Sequence, residues 1–495
     1  MIMAQEQAIL KGQVQLAEMA EFVRRASRDG RPIEEVERQL WSSMLAAGHT
    51  LLAGYVAGVG PGDMGDTLVY EGRDLRRLEC PHDRRYVSVF GELMISRYVY
   101  GTRETQKHEV IPTDALLDLP EGDFSYLLQE WDQAFCVQGS HAESRRTVKR
   151  VLGIGQSVRS LEQMNVSMAQ NVEAFRSSQP KPPAKEEGSI LVLTADGKGV
   201  PMRRDAKCDP PAVRGRRKKG EKANKKRMAC VGGVYTIDPF VRTAEDVVQE
   251  VLRDARKQDR PDPCHKQLRA ELTREIDGVE VNGKDQIFSW FAEQVEVRNP
   301  RGRKPVVCVM DGERALWRQL LARVPEVVCI LDLFHMLERL WQAAHCFHPE
   351  GSEAAQAFVT DRLLRMLRGE VGYVIGGLKQ MATKQKLKGS RARQLSAVIG
   401  YLERNRRLMR YDEYLAAGFP IGSGVAEGAC RHLVKDRMEL TGMRWRIPGA
   451  QAMLDLRAVY INGDWEAFQQ HRIKQERRRL YPYRSLVRRK RRRAA

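Results

Sequence analysis

Residues 189–199 form a short apolar run that ends on a carboxylate, and this run constrains the fold more than any other stretch. The sequence is Ser-Ile-Leu-Val-Leu-Thr-Ala-Asp-Gly-Lys-Gly, in which Ile190–Ala195 leads directly into Asp196. A run of this length, bounded by Gly188 and Gly197, is typical of a buried strand. The sequence therefore predicts a sheet that holds Asp196 rigidly at its edge.

Two further carboxylates are presented in the same manner by predicted regular elements. Asp311 directly follows the apolar run Val306–Met310, and Glu427 lies on a predicted helix. Adjacent strands lie about 4.8 Å apart, so carboxylates at two strand ends can share a cation. Oxygen ligands suit Mg²⁺ or Mn²⁺, and two such ions can activate a nucleophile and stabilise a leaving oxygen. We therefore predict that Asp196, Asp311 and Glu427 are catalytic residues that bind Mg²⁺ or Mn²⁺, as two ions, and act on DNA.

Each of these carboxylates also has an ordinary structural interpretation. Asp311 precedes a predicted helix and suits an N-cap, and Asp196 before Gly197 suits an Asx-turn. Glu427 is spaced to pair with Arg431 one helical turn later. Taken singly, the structural interpretation is favoured at every position. Taken together with the order of the strands and two basic segments, the three carboxylates favour the acidic site.

Asp332 and His335 form a second candidate group, which we rank below the three carboxylates. Asp332 closes the predicted strand Val327–Leu331, and His335 lies one helical turn later. His335 is suited to support the active site by orienting the scissile phosphate or a metal-bound water. A helix cap at Asp332 and a buried, hydrogen-bonded histidine are the alternatives.

The positive charge of the chain is concentrated in two segments. Residues 214–227 and 471–495 carry formal charges of +8 and +11, which together account for the whole net charge of +19. Such concentration indicates a polyanion partner, and a solvated basic tail is the alternative for the C-terminal segment. In the first segment we predict DNA contacts at Arg216, Arg217, Lys218, Lys219, Lys225 and Lys226.

The tripeptide Arg444-Trp445-Arg446 places an aromatic ring between two cations. Such a group can stack on an unpaired base and hold phosphates, so we predict further DNA contacts at Arg444 and Trp445. An ordinary core tryptophan is the alternative, and the sequence does not separate the two.

The N-terminal part of the chain is predicted to be mainly helical with one β-hairpin. Residues 1–60 form a helical region, and residues 61–176 a DNA-binding region that contains a hairpin of strands 85–90 and 93–100 around Gly91-Glu92. Two helices around a Gly-Ile-Gly turn at 153–155 match a helix-turn-helix motif, and two packed helices of another origin would give the same pattern.

Beyond a Pro-rich linker at 177–188, the pattern changes to strands alternating with helices, which is typical of a mixed α/β domain. We predict strands at 189–195, 199–204 and 228–237, followed by two more among the helices. The predicted catalytic domain spans 189–345 and 420–465, the second part carrying Glu427. A helical insertion occupies 346–419, and a tail too basic to bury a core occupies 466–495.

Several classes of protein are not indicated. No apolar run is long enough for a membrane span and the first 24 residues lack the order of a secretory signal, so we expect a cytoplasmic, nucleoid-associated protein without a membrane partner. The nine cysteines contain no C-x-x-C pair, which favours reduced thiols over a cysteine zinc site.

Three of these stretches resemble the catalytic blocks of an ISKra-type insertion-sequence transposase, a DDE family related to the Mutator-like transposases. They are Leu193–Gly199, Val309–Glu313 and Pro420–Gly428. The stretch from Arg431 to Trp445 is similar to the C-terminal signature of the same family, and Asp332–His335 matches the D-x-x-H element of the wider group.

The resemblance covers about residues 85 to 460 and implies an α/β fold: a ribonuclease-H-like mixed sheet with a helical insertion, preceded by a mainly helical N-terminal region with a β-hairpin. It implies that Asp196, Asp311 and Glu427 bind divalent metal, that element ends are cut, and that strands are transferred into target DNA. Transposases commonly act as dimers or larger assemblies, so a homo-oligomer is an open expectation. Many relatives carry cysteines after the hairpin, whereas residues 100–103 here have none.

The resulting prediction is a DDE transposase that binds insertion-sequence ends and catalyses metal-dependent cleavage and strand transfer. The alternatives are a metal-dependent nuclease and a non-catalytic, domesticated DNA-binding derivative. The three intact carboxylates argue against the non-catalytic derivative.

Overall fold

A computed structural model of the chain describes residues 2–102, 109–203, 226–251 and 259–494. The N-terminal elements are those of a helical region with a small β-layer. The chain divides into unit 1, Met1–Phe175 with Asp464–Ala495, and unit 2, Arg176–Gly463. The elements up to the boundary are α1 (Ile2–Arg28), α2 (Ile33–Val59), β1 (Thr67–Tyr70), β2 (Arg73–Arg77), β3 (His82–Ser88), β4 (Gly91–Arg97), β5 (Tyr100–Gly101), α3 (Pro112–Leu117), α4 (Tyr126–Cys136), α5 (His141–Leu152), α6 (Val158–Ala169) and α7 (Val172–Ser178).

The hairpin of β3 and β4 is present, but its turn lies two residues earlier than predicted. Ser88 pairs with Gly91, so Val89-Phe90 forms the turn and Gly91-Glu92 begins the second strand. The Ser88 side chain explains the position, because its hydroxyl accepts from the Phe90 N–H and donates to the Gly91 carbonyl. The hydrogen bonds of Ser88 therefore favour a turn at Val89-Phe90 over the turn that was predicted at Gly91-Glu92.

The helices on either side of the Gly-Ile-Gly turn are confirmed. Helix α5 ends at Gly153, which has a left-handed φ of 72°, and the Ser157 hydroxyl accepts from Ser160 N–H at the start of α6. Helices α4, α5 and α6 contact one another pairwise. The turn therefore belongs to a packed group of three helices.

Unit 2 is built from strands β6 (Ile190–Pro201), β7 (Lys226–Ile237), β8 (Cys264–Leu272), β9 (Arg274–Ile276), β10 (Val279–Val281), β11 (Val306–Met310) and β12 (Val328–Leu331). Its helices are α8 (Ala244–Val251), α9 (Gly283–Arg298), α10 (Arg314–Arg323), α11 (Leu333–Phe347), α12 (Glu353–Leu367), α13 (Val371–Lys384), α14 (Gly389–Asn405), α15 (Tyr411–Ala416), α16 (Gly424–Ala429), α17 (Asp436–Met438) and α18 (Ile447–Ile461). Short 3₁₀ turns lie at Ala184–Glu186, Arg406–Leu408 and Leu440–Gly442, and a π-helical turn at Cys430–Lys435.

The central sheet is five-stranded and mixed, in the order β12-β11-β6-β7-β8. Strands β12, β11 and β6 run parallel, and β7 and β8 continue the sheet antiparallel. The predicted mixed α/β class is thereby confirmed. The separate strand predicted at 199–204 is wrong, because β6 pairs with β7 without a break from Ile190 to Pro201. Strand β8 was not predicted; it lies at the edge of the sheet, and its first four residues include three polar ones that are not buried.

Both faces of the sheet are covered by helices. Leu191 and Leu193 point to the face covered by α9 and α10, and Ile190 and Val192 point to the opposite face. That second face shares one core with α11 and with the insertion helices α12–α15. The insertion is helical as predicted, and its side chains complete the core of the sheet.

The C-terminal segment consists of α19 (Trp465–Leu480) and α20 (Arg484–Ala494), so the prediction of a tail too basic to bury a core is wrong. Phe468 is fully buried and packs against Phe175, with ring centroids 5.5 Å apart. Tyr481, Tyr483 and Val487 enter a core with β1 and β2. A few apolar residues at helical spacing are enough to bury one face of a segment that is otherwise basic. None of the described helices combines the length and apolar content needed to cross a membrane.

Candidate active site

Asp196 and Asp311 stand side by side at one level of the sheet. Strands β6 and β11 are parallel neighbours, with Met310 paired to Ala195, and each carboxylate is the next residue on its strand. Asp311 therefore ends β11, whereas Asp196 lies within β6, which continues to Pro201. The predicted convergence of these two positions is a consequence of the parallel register.

The Asp311 carboxylate is fixed by a donor from the helical insertion. Its Oδ1 accepts from the Tyr401 hydroxyl at 2.9 Å and from the Gly312 N–H, and its carbonyl accepts from Trp317 Nε1 at 2.8 Å. The N-cap interpretation is wrong, because Glu313 occupies the N-cap position of α10. Asp311 Oδ2 has no hydrogen-bond donor among the described residues.

The Asp196 carboxylate is held by a residue of the segment that follows Glu427. Its Oδ1 accepts from the Gly197 N–H at 2.6 Å, and its Oδ2 accepts from the Cys430 thiol at 3.4 Å. The chain does not turn here, because Asp196 pairs with Val231 and Gly197 with Cys230 inside the β6–β7 ladder. The Asx-turn interpretation is therefore wrong.

Glu427 is brought against Asp332 and His335. One donor atom from each of these three side chains lies within 4.8 Å of the other two. Helix α16 carries Glu427 and passes directly into the π-helical turn Cys430–Lys435. Single π turns are frequent at functional sites, and this one carries Cys430. The surface-pair interpretation is not supported, because Arg431 faces Asp436 at 3.9 Å.

Asp332 is a fully buried carboxylate with three kinds of hydrogen-bond donor. It accepts from Ser423 N–H at 2.9 Å, from Ser423 Oγ at 2.8 Å, and from His335 Nδ1 at 2.6 Å. It also accepts from Phe334 N–H and so caps α11. The capping interpretation and the predicted Asp332–His335 pair are therefore both present. Burial by itself would raise the pKa of Asp332, but the hydrogen bonds from His335 and Ser423 lower it.

The pKa values show that the acidic groups act on one another. The hydrogen bond to Asp332 raises the pKa of His335 to about 9 against the effect of burial, and the charges of Asp311 and Asp196 add to the rise. Partial loss of hydration raises the pKa of Glu427, and the negative charges of Asp332 and Asp196 raise it further. His335 is therefore a cation at neutral pH within a group of carboxylates.

The donor set fits a hard divalent cation. His335 Nδ1 is bonded to Asp332, so a ligand role would fall to Nε2 of the neutral imidazole. The predicted ligands Asp196, Asp311 and Glu427 offer carboxylate oxygen, the chemistry that Mg²⁺ and Mn²⁺ prefer. Among the described residues, the donor atoms that lie within 4.8 Å of one another are those of Glu427, Asp332 and His335. Asp332 is less suited, because its two oxygens already accept from Ser423, Phe334 and His335.

Tyr401 and Cys430 are site residues that the sequence did not indicate. Tyr401 lies 90 positions from Asp311, and Cys430 lies 234 positions from Asp196. The only local signal for Tyr401 is Gly312. A Cβ there would lie 2.5 Å from Asn405 Nδ2 and 2.8 Å from the Tyr401 ring, so glycine is required for α14 to approach.

The predicted DNA contacts have different outcomes. Lys226 is ion-paired with Glu439 at 2.5 Å, and Arg444 is exposed. Trp445 is a buried core residue, with Nε1 donating to the Met438 carbonyl and the Arg437 guanidinium 4.9 Å above its ring. Its predicted role as a stacking platform is therefore wrong, because the ring has no open face for a base. The remaining predicted contacts, Arg216, Arg217, Lys218, Lys219 and Lys225, lie outside the described residues.

Comparison with known proteins adds no relative to these observations. No protein-family model matches the chain, and no curated protein sequence matches it significantly.

Proposed function

We propose that the protein is a DDE transposase, a metal-dependent polynucleotidyl transferase that binds the ends of an insertion sequence, cleaves them and transfers the strands to target DNA. One observation carries the proposal: Asp196 and Asp311 are in register on neighbouring parallel strands, and Glu427, whose pKa is raised by burial and by the charges of Asp332 and Asp196, lies on a helix close to them. A five-stranded mixed sheet in which β7 alone runs against the other four strands supports a ribonuclease-H-like domain as the scaffold.

The residues of the candidate active site have three different roles in the proposed reaction. Asp196, Asp311 and Glu427 would hold the divalent cations, which when bound supply an activated oxygen nucleophile and charge for the leaving oxygen. Tyr401 and Cys430 fix the orientation of two of these carboxylates. The His335 imidazolium offsets part of the negative charge, so that a phosphodiester anion can approach the site.

The DNA outside the reacting phosphodiester requires other surfaces. Helices α4–α6 are one candidate for recognition of the element ends, with α6 opening on Val158-Arg159 after the Ser157 cap. The basic segment 214–227 is the candidate for sequence-independent phosphate contacts, which would make binding depend strongly on salt.

The test is an assay that combines linear element-end DNA, Mg²⁺ or Mn²⁺, and a target plasmid. We expect cleaved and joined products with the natural chain, and loss of both with Asp196→Asn, Asp311→Asn and Glu427→Gln while DNA binding persists. The matched control is Glu413→Gln, an exposed glutamate of α15 paired with Arg410, which should keep full activity.

The alternatives give different products in the same assay. Cleavage without joining would favour the metal-dependent nuclease, and binding without any reaction would favour a non-catalytic derivative. Full activity in one of the three carboxylate variants would remove that residue from the proposed set.

A further inference from the structure

A cavity of about 430 Å³ borders Asp196 on unit 2. One wall is the ribbon of β6 and β7 beyond Asp196, and the other is formed by the start of α9 and the start of α10. The size suits a ligand of small-molecule dimensions. Asp196 borders the cavity, but its side chain projects from the opposite face of β6, where it is bonded to Cys430.

The cavity exists because one face of β6 has no side chains there. Successive residues of a strand point to opposite faces, so Gly197 and Gly199 occupy the face opposite Asp196 and Lys198. On the neighbouring strand β7, Gly197 pairs with Cys230. Glycines within a strand mark places that another chain or a ligand approaches closely.

The opposite wall also depends on a glycine. A Cβ at Gly283 would lie 2.5 Å from the Glu271 carbonyl oxygen, so only glycine lets α9 begin this close to β8. Lys284 follows directly and lines the cavity. Close approach of the backbone therefore helps to set the position of this wall.

Two cations line the cavity, and both are available to an anion. Arg227 is exposed and has no ion-pair partner among the described residues. Lys284 pairs with Glu313 at 2.6 Å, but the two side chains are 38% and 51% exposed. An exposed pair of this kind contributes little free energy, so an incoming phosphate can replace Glu313 at low cost.

The cavity offers an apolar surface beside these cations. Met228 is 59% exposed although it lies within a strand, and Leu316 of α10 lines the opposite side. A methionine thioether packs well against an aromatic ring. A ligand that combines a phosphate with a flat heterocycle matches both parts of the lining.

We propose that this cavity holds one nucleotide of the bound DNA strand outside the carboxylate centre, with Arg227 and Lys284 on its phosphate and Met228 against its base. The inference rests on the proposed function, because that function identifies the bound strand as DNA. It adds a base-binding subsite on the opposite face of β6 from the carboxylate centre.

Binding is tested without cleavage, in Ca²⁺, by fluorescence anisotropy with a labelled mixed-sequence single strand of DNA. Removal of one phosphate contact by Arg227→Gln or Lys284→Gln should weaken binding about tenfold and reduce the salt slope by about 0.7. The matched control is Lys379→Gln, because Lys379 pairs with Glu403 at 2.6 Å on the insertion and is similarly exposed. Its affinity should equal that of the natural chain.

The base contact is tested by moving one abasic site along the same strand. We expect the natural chain to lose affinity at a single position, and Met228→Ala to abolish that sensitivity while binding the intact strand only as well as the abasic one. A phosphate-only site would show no position dependence and would overturn the assignment of the base to Met228.

These measurements separate the two proposals. If the natural chain cleaves DNA but both cation variants bind like Lys379→Gln, the cavity assignment is wrong and the transposase proposal stands. If the cation variants lose affinity but no DNA is ever cleaved with Mg²⁺ or Mn²⁺, the transposase proposal fails and the cavity remains a nucleic-acid site. Absence of any binding by the natural chain would overturn the cavity assignment.

Discussion

The carboxylates of unit 2 and the buried arginine of α19 in unit 1 are two ways of placing charge inside a protein. Arg472 has a side chain only 1% exposed; its Nε donates to Gln469 at 3.1 Å, its Nη1 to Gln129 at 2.8 Å and Glu476 at 3.5 Å, and its Nη2 has no partner among the described residues. Asp311, in contrast, is half-buried and keeps one oxygen without a donor among the described residues. Charge that is satisfied by the chain itself serves the fold, and charge that is left partly open is available to a ligand.

The largest effect expected from this comparison is at Glu427. Glu427→Gln should reduce DNA cleavage about a thousandfold, because an amide replaces a charged ligand in a preorganised site. The free energy of unfolding should stay the same or rise, since negative neighbours raise the pKa of Glu427 and so disfavour its ionised form in the folded state. Cleavage assays and urea denaturation measure the two effects. If Glu427→Gln lost stability as well as activity, Glu427 would serve the fold, and the distinction between charge that serves the fold and charge that is open to a ligand would fail.

Arg472→Met should have the opposite profile. Removing one partner of a buried charged network leaves Glu476 uncompensated, which should cost about 3–5 kcal/mol of unfolding free energy. Arg479→Met is the matched control on the same helix, because Arg479 is 60% exposed and pairs with Glu121, and it should cost less than about 1 kcal/mol. Equal losses of unfolding free energy in the two variants, measured by urea denaturation, would show that the burial of Arg472 does not determine its contribution to stability.

Tyr401→Phe sharpens the comparison at the site itself. The variant removes one hydrogen bond to Asp311 and keeps the ring over Gly312, so the fold should persist. Groups that orient metal ligands typically contribute about 10- to 100-fold to metal affinity, and we expect a loss in that range. Calorimetric titration with Mn²⁺ and the Mg²⁺ dependence of cleavage measure it. The expected signature is rescue of cleavage at high Mg²⁺, which a general loss of folding would not give.

The smallest effect is at Asp132, a buried carboxyl of unit 1. Burial raises its pKa to about 7, although a hydrogen bond from Gln156 at 2.8 Å lowers it. The folded chain therefore binds more protons than the unfolded chain between about pH 4 and pH 7, so this group makes stability fall as pH rises through that range.

Asp132→Asn keeps the acceptor for Gln156 and removes the titration. At pH 8 the variant should be more stable than the natural chain, and the difference should shrink as the pH falls towards 4. Denaturation at both pH values is the measurement, with Asp83→Asn on the exposed side of β3 as the control. A gain that is independent of pH would have another cause.

Much of unit 2 was predictable because its signals are local. Apolar runs of β-rich residues that lead into Asp196 and Asp311 predicted β6 and β11, although β6 continues past Asp196 to Pro201. The prediction at Trp445 failed because a tryptophan between arginines has the same local pattern on a surface and in a core. The C-terminal helices were missed because their arginines outnumber the apolar residues that fix their packing.

The sequence by itself determined which elements form and which residues stand at their ends, because backbone sterics and the periodicity of apolar residues act over a few positions. Tertiary structure decided that Tyr401 meets Asp311, that Cys430 meets Asp196, and that Glu427 approaches Asp332 and His335. These contacts join positions far apart in the chain. They form only when burial of the sheet faces has brought the insertion and α16 back to β6 and β11, and no local pattern encodes that return.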